Sequence, residues 1–256
     1  MVETLTSEKN PLLKEVRRAV ARGSLTEDGF AVAEGFHLLE EALGAGCEIQ
    51  AVIAAESITD RLPDAGGARV AVVSEKVFES LAATETTQGV IALVRPPAWT
   101  VDDLLRGATL LAILDGIQDP GNAGAILRAA EAFGATGAAF LKGTASPYNP
   151  KSMRASAGSV FRLPIAAFEE KSLLAVLDQS GIALYAAMPR SGQAPADADL
   201  RSRCAIVIGS ESRGVSPRLA ERAIGLRIPT SRVESLNAAV AAGVLLYEAR
   251  RQRTSL

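Results

Sequence analysis

The sequence is poor in the residues that disulfides and most metal sites need. Among 256 residues there are two cysteines and one histidine. Cys47 and Cys204 lie far apart and form no C-x-x-C pair, so we expect neither a disulfide framework nor a zinc site. A single imidazole rarely makes a catalytic site alone, so we interpret His37 as a surface or helix-face residue. The sequence therefore predicts a protein that uses no metal.

Long apolar runs are absent as well. Hydrophobic residues make up 48% of the chain, enough for a buried core, but no run approaches the roughly 18 apolar residues of a membrane span. The opening MVETLTSEKNPLLK is polar where an export signal needs an apolar stretch. We therefore expect a cytoplasmic protein without a membrane partner.

Charge is nearly balanced, with a net charge of -2, which disfavours a strongly basic, non-specific nucleic-acid binder. The average hides an asymmetry, because residues 1–100 hold 9 basic and 15 acidic side chains and residues 101–256 hold 18 and 14. Arginine outnumbers lysine 21 to 6, and arginine is the better bidentate phosphate partner. An RNA substrate would thus be contacted mostly by the second part, although a GC-rich genome would also enrich arginine.

Strands alternate with helices in residues 1–97. Apolar residues at helical spacing predict a helix over Pro11–Arg22 that Gly23 closes. Short apolar runs predict four strands, at 30–35, 49–55, 69–74 and 89–94. We predict a small α/β domain here, followed by a linker at 98–108.

Residues 109–256 predict a second α/β domain with a parallel sheet. Five continuous apolar runs, each next to a helical stretch, lie at 109–116, 138–143, 182–188, 204–210 and 226–229. Such runs are typical of strands that are buried on both faces of a sheet. In open parallel sheets ligands bind beyond the carboxyl ends of the strands, so the loops after these runs are the candidate sites.

The first candidate loop leads from residues 109–116 into a helix. Gly121 and Gly124 flank Asn122, so backbone N–H groups there could face an anionic or polar group. Arg128 completes the pattern N-x-G-x-x-x-R. Alone, this pattern favours a plain strand-to-helix loop with an asparagine cap.

The second candidate loop runs from residue 206 to residue 216 and contains G-x-E-x-x-G, formed by Gly209, Glu211 and Gly214. Glycine permits a close approach of the backbone to a ligand, and Glu211 places a carboxylate at the end of a strand.

The third candidate loop follows residues 226–229. Ser235, Leu236 and Asn237 lead into a helix rich in alanine that we predict to reach Arg253. This helix could approach another backbone closely, or it could be an ordinary core helix.

The three loops, in this order and at these spacings, resemble the three signature motifs of the SpoU (TrmH-type) RNA 2′-O-ribose methyltransferases of the SPOUT superfamily. The resemblance extends from about Leu110 to the C-terminus and includes residues 146–164. The opening SEKNPLLKEVRRAVARG, the FAVAEG turn and TETTQGVIALVRPP are similar to the smaller substrate-binding domain of many members, with few basic residues near the EG turn. The resemblance therefore implies an RNA substrate-binding-like α/β domain at 1–97, a linker at 98–108 and a methyltransferase domain at 109–256.

The resemblance implies a deep trefoil knot in the second domain and S-adenosylmethionine as the cofactor. General base rates run against knots, so this expectation depends on the resemblance alone. The implied cofactor-binding residues, several of which would contribute backbone contacts, are Thr144, Gly209, Ile228, Ser235, Leu236 and Asn237.

The implied catalytic residues are Arg128, Asn122, Glu211, Ser235 and Asn237, with Arg128 closest to the attacked hydroxyl. A guanidinium stays protonated in proteins, so it is a poor general base. Our hypothesis is that Arg128 binds a substrate phosphate and stabilises the developing alkoxide.

The resemblance also implies partners. We expect an RNA substrate, ribosomal (23S) rather than transfer RNA, because an N-terminal domain of this kind is more typical of large-subunit rRNA enzymes. Family members typically pair through the methyltransferase domain, so the helix at 235–253 and the alanine-rich face after Asn122 are the candidate homodimer interface.

Other functions stay open at this point. A dinucleotide-binding oxidoreductase is disfavoured, because the loop reads GIQDPGNAG and lacks G-x-G-x-x-G. A tRNA 2′-O-methyltransferase, a base methyltransferase with a related fold and a non-catalytic RNA-binding member of the family are the remaining alternatives.

Overall fold

The structure is a computed structural model that describes residues 2–254. Its strands are β1 Val2–Thr4, β2 Ala31–Glu34, β3 Ile49–Ala55, β4 Arg69–Val73, β5 Val90–Val94, β6 Leu110–Asp115, β7 Gly137–Leu141, β8 Ile165–Phe168, β9 Ala183–Ala187, β10 Cys204–Gly209 and β11 Ile224–Leu226. Its α-helices are α1 Pro11–Arg22, α2 Phe36–Gly44, α3 Glu75–Glu79, α4 Val101–Leu104, α5 Pro120–Ala132, α6 Pro150–Ser156, α7 Ser159–Arg162, α8 Glu170–Gln179, α9 Pro217–Arg222 and α10 Ala238–Arg253.

The chain forms two compact units. The first comprises the chain up to Ala98 together with Ser146–Arg162, and the second comprises Trp99–Ala145 and the chain from Leu163 onwards. The sequence analysis placed residues 146–162 in the methyltransferase domain, whereas their contacts group them with the first unit. The division into domains at 1–97 and 109–256, with a linker between them, stays a prediction.

The first unit is built on a mixed five-stranded sheet with the order β1-β4-β3-β5-β2. Strand β5 runs antiparallel to both of its neighbours, and β4 runs parallel to both β1 and β3. All five residues of β5 are buried, so both faces of the sheet are covered at this strand. The four strands predicted from the sequence are all present, and β1 is an additional edge strand.

Local sequence explains the first long helix. The Asn10 side chain accepts a hydrogen bond from the backbone N–H of Leu12 at 2.9 Å, and Pro11 occupies the first turn, where its missing N–H costs nothing. Gly23 ends the helix in the left-handed conformation, with φ at 62°.

A buried carboxylate joins α6 to the sheet of the first unit. Glu34, at the end of β2, accepts hydrogen bonds from the backbone N–H of Ala83 at 2.8 Å and from the Thr84 hydroxyl. The Arg154 guanidinium lies 3.6 Å from the same carboxylate. Because an ionised group is costly to bury unless it is paired, the Arg154–Glu34 ion pair favours the packing of α6 against β2.

The second unit is built on a six-stranded parallel sheet with the order β11-β9-β10-β6-β7-β8. Strands β6 and β10 lie at its centre, and their registers match from Leu110 and Cys204 to Asp115 and Gly209. Because parallel strands end at the same edge, the loops that follow β6 and β10 begin side by side. Strand β11 also runs parallel to β9, so all three candidate loops begin at this edge.

The fold agrees with the sequence in class and differs in detail. A mixed α/β fold with a parallel-sheet unit is confirmed. The prediction of about five parallel strands missed β8, and the strand placed at 226–229 lies at Ile224–Leu226. No helix within residues 2–254 is long and apolar enough to cross a membrane. The trefoil knot stays a prediction.

Candidate active site

Three side chains from the three candidate loops meet at the carboxyl edge of the parallel sheet. The Asn122 amide donates to Glu211 Oε1 at 2.6 Å, and the Asn237 amide donates to the same oxygen at 3.1 Å. Asn237 Nδ2 also lies 3.0 Å from Asn122 Oδ1. We call Asn122, Glu211 and Asn237 the amide–carboxylate cluster. Its members are up to 115 residues apart in the sequence, so only the fold brings them together.

Helix capping sets the orientation of the Asn237 amide. Asn237 is the N-cap of α10, and its Oδ1 accepts from the backbone N–H groups of Ala239 at 2.9 Å and Val240 at 3.2 Å. Because the oxygen faces the helix, the NH₂ group faces Glu211 and Asn122. The start of α10 thus determines which group Asn237 presents to the site.

The first loop is ordered in a similar way. Asp119 is the N-cap of α5, and its Oδ1 accepts from the backbone N–H groups of Gly121 and Asn122. Pro120 occupies the first turn of the helix. Asn122 therefore sits in a capped turn from which its side chain reaches Glu211.

The second loop folds back on itself directly after β10. Ser210 and Gly214 form an antiparallel bridge, with N–H to O distances of 3.1 and 2.8 Å. A Cβ atom at Gly209 would overlap the Gly214 carbonyl carbon and the Val215 nitrogen. Glycine at position 209 is thus required by the close approach of the loop backbone, and the bridge holds Glu211 at the tip of a tight turn.

A cavity of about 920 Å³ opens beside the amide–carboxylate cluster. Five of the six residues predicted to bind the cofactor line it, as does Glu211; the five are Gly209, Ile228, Ser235, Leu236 and Asn237. The wall mixes the apolar side chains of Ile228 and Leu236 with the polar groups of Ser235, Asn237 and the loop after β10. A largely apolar wall with a few fixed polar groups is the usual chemistry of a cofactor pocket.

Thr144 has a different environment from the other predicted cofactor residues. It is not among the described residues that line the large cavity. Its hydroxyl donates to the Leu114 carbonyl at 2.9 Å and accepts from the Gly116 N–H at 3.0 Å. Thr144 therefore links the loop after β7 to the end of β6, and its direct contact with a cofactor stays a prediction.

Arg128 is a predicted catalytic residue that does not line either cavity. It is exposed on α5, six residues after Asn122. The structure therefore places Asn122, Glu211, Ser235 and Asn237 around one site and leaves Arg128 on the adjoining surface. The catalytic roles of all five stay predictions.

A second, smaller cavity of about 130 Å³ also has Glu211 in its wall. The residues that line it are Ile117, Gln118, Asp119, Asn122, Ser210, Glu211 and Ser212. Ser210, Glu211 and Ser212 line both cavities. Glu211 is thus accessible from both the large and the small cavity.

Two residues that line the large cavity were not selected from the sequence. They are Arg190 and Glu234, whose side chains form an ion pair of 3.1 Å. Arg190 belongs to the loop after β9, which carries no motif, so no local signal pointed to it. Ser210 could have been found, because it directly follows the apolar run of β10.

The described part of the chain offers no metal site. Within residues 2–254 no group of three or more His, Cys, Asp and Glu side chains could hold a metal ion. The large cavity falls within the roughly 300–1,000 Å³ that small-molecule and cofactor pockets usually occupy.

Comparison with known proteins defines the class. The sequence profile of the SpoU rRNA Methylase family matches residues 109–247, and that of the MRM3-like substrate binding domain matches residues 10–92. The 23S rRNA (guanosine(2553)-2′-O)-methyltransferase RlmP of Bacillus subtilis is 29% identical over 97% of this chain and 100% of its own length. Fold and relatives together define an RNA methyltransferase.

Two further relatives cover nearly the whole chain. A protein of Synechocystis described as an uncharacterized tRNA/rRNA methyltransferase is 35% identical over 98% of this chain and 95% of its own. The crystal structure of an AdoMet-bound rRNA methyltransferase from Sinorhizobium meliloti superimposes with a TM-score of 0.87 and 30% identity, covering 99% of each chain. The chain belongs to the SpoU rRNA methylase family, so the family predicted from the sequence motifs is confirmed.

Proposed function

We propose that the protein transfers the methyl group of S-adenosylmethionine to a ribose 2′-hydroxyl of 23S rRNA. The observation that carries the proposal is the contact between Asn122, Glu211 and Asn237, one from each signature loop, beside a cavity of cofactor size that Glu211 and Asn237 line. The RlmP relative, which is named for this reaction, matches the chain over its full length.

The large cavity is the proposed cofactor site. Ile228 and Leu236 provide its apolar surface, and Gly209 brings the backbone of β10 to its wall. When bound, S-adenosylmethionine supplies a methyl group that its sulfonium already activates. Because Glu211 lines both cavities, the smaller one is the proposed place for the target ribose.

The residues of the chain orient the attacking hydroxyl and stabilise charge. The two asparagine amides occupy Glu211 Oε1, so the carboxylate is held in one orientation at the wall of both cavities. Arg128 lies exposed on the same helix as Asn122, where a guanidinium can bind a phosphate that flanks the target nucleotide. Its positive charge would stabilise the developing alkoxide.

Ribosomal RNA is the proposed substrate because of the first unit. The match to the MRM3-like substrate binding domain covers residues 10–92, and the relative named for 23S rRNA spans this region as well as the methyltransferase part. A methyl-transfer assay on separate RNAs would distinguish this enzyme from a tRNA methyltransferase and from a non-catalytic RNA-binding protein.

The proposed assembly is a homodimer through α10. Val240, Val244 and Tyr247 are exposed at 52%, 39% and 52%, and their spacing of four and three residues places them on one stripe of the helix. An apolar stripe on a helix that borders the active site is the kind of surface that a second subunit covers.

Cofactor binding can be tested without RNA. S-adenosylhomocysteine at about 100 times its Kd should stabilise the protein by about 2.7 kcal/mol, a rise in Tm of about 5–10 °C for a chain of this size. NAD is the control and should not change Tm. Stabilisation by NAD and not by S-adenosylhomocysteine would exclude a methyltransferase.

The reaction is tested with radiolabelled S-adenosylmethionine and separate 23S rRNA, 16S rRNA and tRNA transcripts. We expect label in 23S rRNA at one ribose, recognised because 2′-O-methylation blocks alkaline cleavage at that nucleotide. The Asn122→Ala variant should lose at least about tenfold in rate. Label in tRNA alone would replace the proposed substrate, and cofactor binding without transfer to any of the three RNAs would indicate a non-catalytic protein.

A further inference from the structure

Asp115, the last residue of β6, is a buried carboxylate that none of the signature loops explains. It is 9% exposed. Its Oδ2 accepts a hydrogen bond of 2.6 Å from the backbone N–H of Ser216, which lies 101 residues further along the chain. A buried carboxylate is costly unless a short, charge-assisted hydrogen bond of this kind compensates it.

Ser216 is the residue at which the second loop ends. The loop leaves β10 at Gly209, turns back through the Ser210–Gly214 bridge and reaches α9 at Pro217. The bridge closes the turn internally, but it does not determine where the turn stands relative to β6. The bond from Ser216 to Asp115 supplies that attachment, and it ends on the strand whose following loop carries Asn122.

Glu211 lies within this attached segment, five residues before Ser216. It must reach two partners at once, the Asn122 amide at 2.6 Å and the Asn237 amide at 3.1 Å. Hydrogen bonds weaken steeply once their distances and angles depart from these values. A small displacement of residues 210–216 would therefore separate Glu211 from both amides.

The geometry points to Asp115 as a positioning residue: through the Ser216 N–H it holds residues 210–216 so that Glu211 meets the amides of Asn122 and Asn237. Asp115 acts through Glu211 and touches neither substrate nor cofactor. The consequence for methyl transfer rests on the proposed function, whereas the consequence for the geometry of the cluster does not.

The first test observes the cluster directly, without cofactor or RNA. Side-chain NH₂ signals of Asn122 and Asn237 are assigned by ¹H–¹⁵N NMR in the full-length protein and in the variants Asp115→Ala, Asp115→Asn and Glu211→Ala. Glu211→Ala removes the oxygen that accepts from both amides, and we expect Asp115→Ala to shift both pairs of signals in the same direction as this variant. The Asp115→Asn variant keeps an oxygen that can accept from Ser216, so its signals should stay near those of the wild type.

The matched control is Thr109→Val, which removes a buried polar group from the opposite end of the same sheet region. Thr109 is fully buried, and its hydroxyl donates to the Leu105 carbonyl at 2.7 Å. This variant should lower Tm, as Asp115→Ala does, and leave the Asn122 and Asn237 side-chain signals in place. Unchanged signals in a folded Asp115→Ala variant would overturn the proposal.

The second test is a double-mutant cycle on the transfer rate. In the wild-type background Asp115→Ala should lower kcat about tenfold or more, and in the Glu211→Ala background it should lower kcat less than about twofold. Equal losses in both backgrounds would mean that Asp115 acts independently of Glu211, against the proposal. If the wild type methylates no RNA, the proposed function fails while the NMR result still decides the role of Asp115.

Discussion

Asn237 performs two tasks with one side chain. Its oxygen caps α10 through the N–H groups of Ala239 and Val240, and its nitrogen donates to Glu211 and Asn122. The cap is a local interaction that any good N-cap residue could make. The donor function needs an amide and a partner from another loop, so the two tasks can be separated by substitution.

We expect Asn237→Ser to separate them. Serine is a good N-cap residue but has no NH₂ group to reach Glu211, so Tm should stay close to that of the wild type while methyl transfer falls about tenfold or more. The Asn237→Ala variant should lose the same activity and, in addition, about 1 kcal/mol of stability. Thermal unfolding and single-turnover rates on the same preparations measure both effects, and full activity of Asn237→Ser would contradict the role given to the amide.

Gly209 shows how a single residue limits what a loop can do. Its conformation is ordinary, so the reason for glycine is space: a Cβ atom would meet the backbone of Gly214 and Val215. Backbone cannot move aside as the end of a flexible side chain can. Any larger residue must displace the second loop.

We therefore expect Gly209→Ala to weaken S-adenosylhomocysteine binding by about tenfold or more and to lower Tm, as displacement of a packed segment does. The matched control is Gly44→Ala, since a Cβ at Gly44, the last residue of α2, has nothing within 4 Å. Calorimetric titration and thermal unfolding compare the two variants. Equal cofactor affinity in both would show that the loop tolerates the added methyl group.

At the scale of elements, α10 is fixed at both ends. It begins at the cap in the active site, and at its other end the Arg253 guanidinium donates to the carbonyls of Leu200 at 2.7 Å, Ala108 at 2.5 Å and Ser202 at 2.6 Å. These carbonyls precede β6 and β10. One arginine thus ties the last turn of α10 to the amino edge of the sheet whose carboxyl edge holds the site.

Removal of this tie should destabilise the protein. We expect Arg253→Ala to cost about 3 kcal/mol, since several carbonyls lose their donor at once, and Arg253→Lys to recover only part, because an ammonium lacks the planar fork. The matched control is Arg251→Ala in the same turn, whose exposed guanidinium pairs with Glu248 at 2.7 Å and should change Tm little. Chemical denaturation measures the three variants. A loss for Arg251→Ala as large as that for Arg253→Ala would contradict this account.

Several strands could be predicted from the sequence pattern alone. The apolar runs of β3, β5, β6 and β10 are buried over most or all of their lengths, and such runs predict strands without any knowledge of the fold. Strand β8, Ile165–Phe168, was missed because its apolar run is only four residues long. A run this short is ambiguous without knowledge of its neighbours in the sheet.

At the scale of the molecule, the exposed apolar stripe on α10 is the proposed homodimer interface. We expect Val244→Glu to convert the proposed dimer to a monomer, since a charge at the centre of an apolar interface is not compensated. Val101→Glu is the matched control, because Val101 is exposed at 38%, close to the 39% of Val244, but lies on α4. Analytical ultracentrifugation at micromolar concentration gives both results. A wild-type monomer, or a Val244→Glu variant that still dimerises, would contradict the proposed interface.

The sequence by itself determined the family, the α/β class and most of the cluster, because strand-end motifs combine local glycine, proline and capping signals that are read in one short window. The resemblance of the three loops to the family's signature motifs selected Asn122, Glu211 and Asn237, and the structure brings them together. Tertiary structure alone decided that Thr144 bonds to Gly116, that residues 146–162 group with the first unit, and that Asp115 holds Ser216. The physical reason is distance along the chain: a hydrogen bond between residues 101 apart leaves no periodicity or spacing in the sequence, and only the completed sheet brings its two ends together.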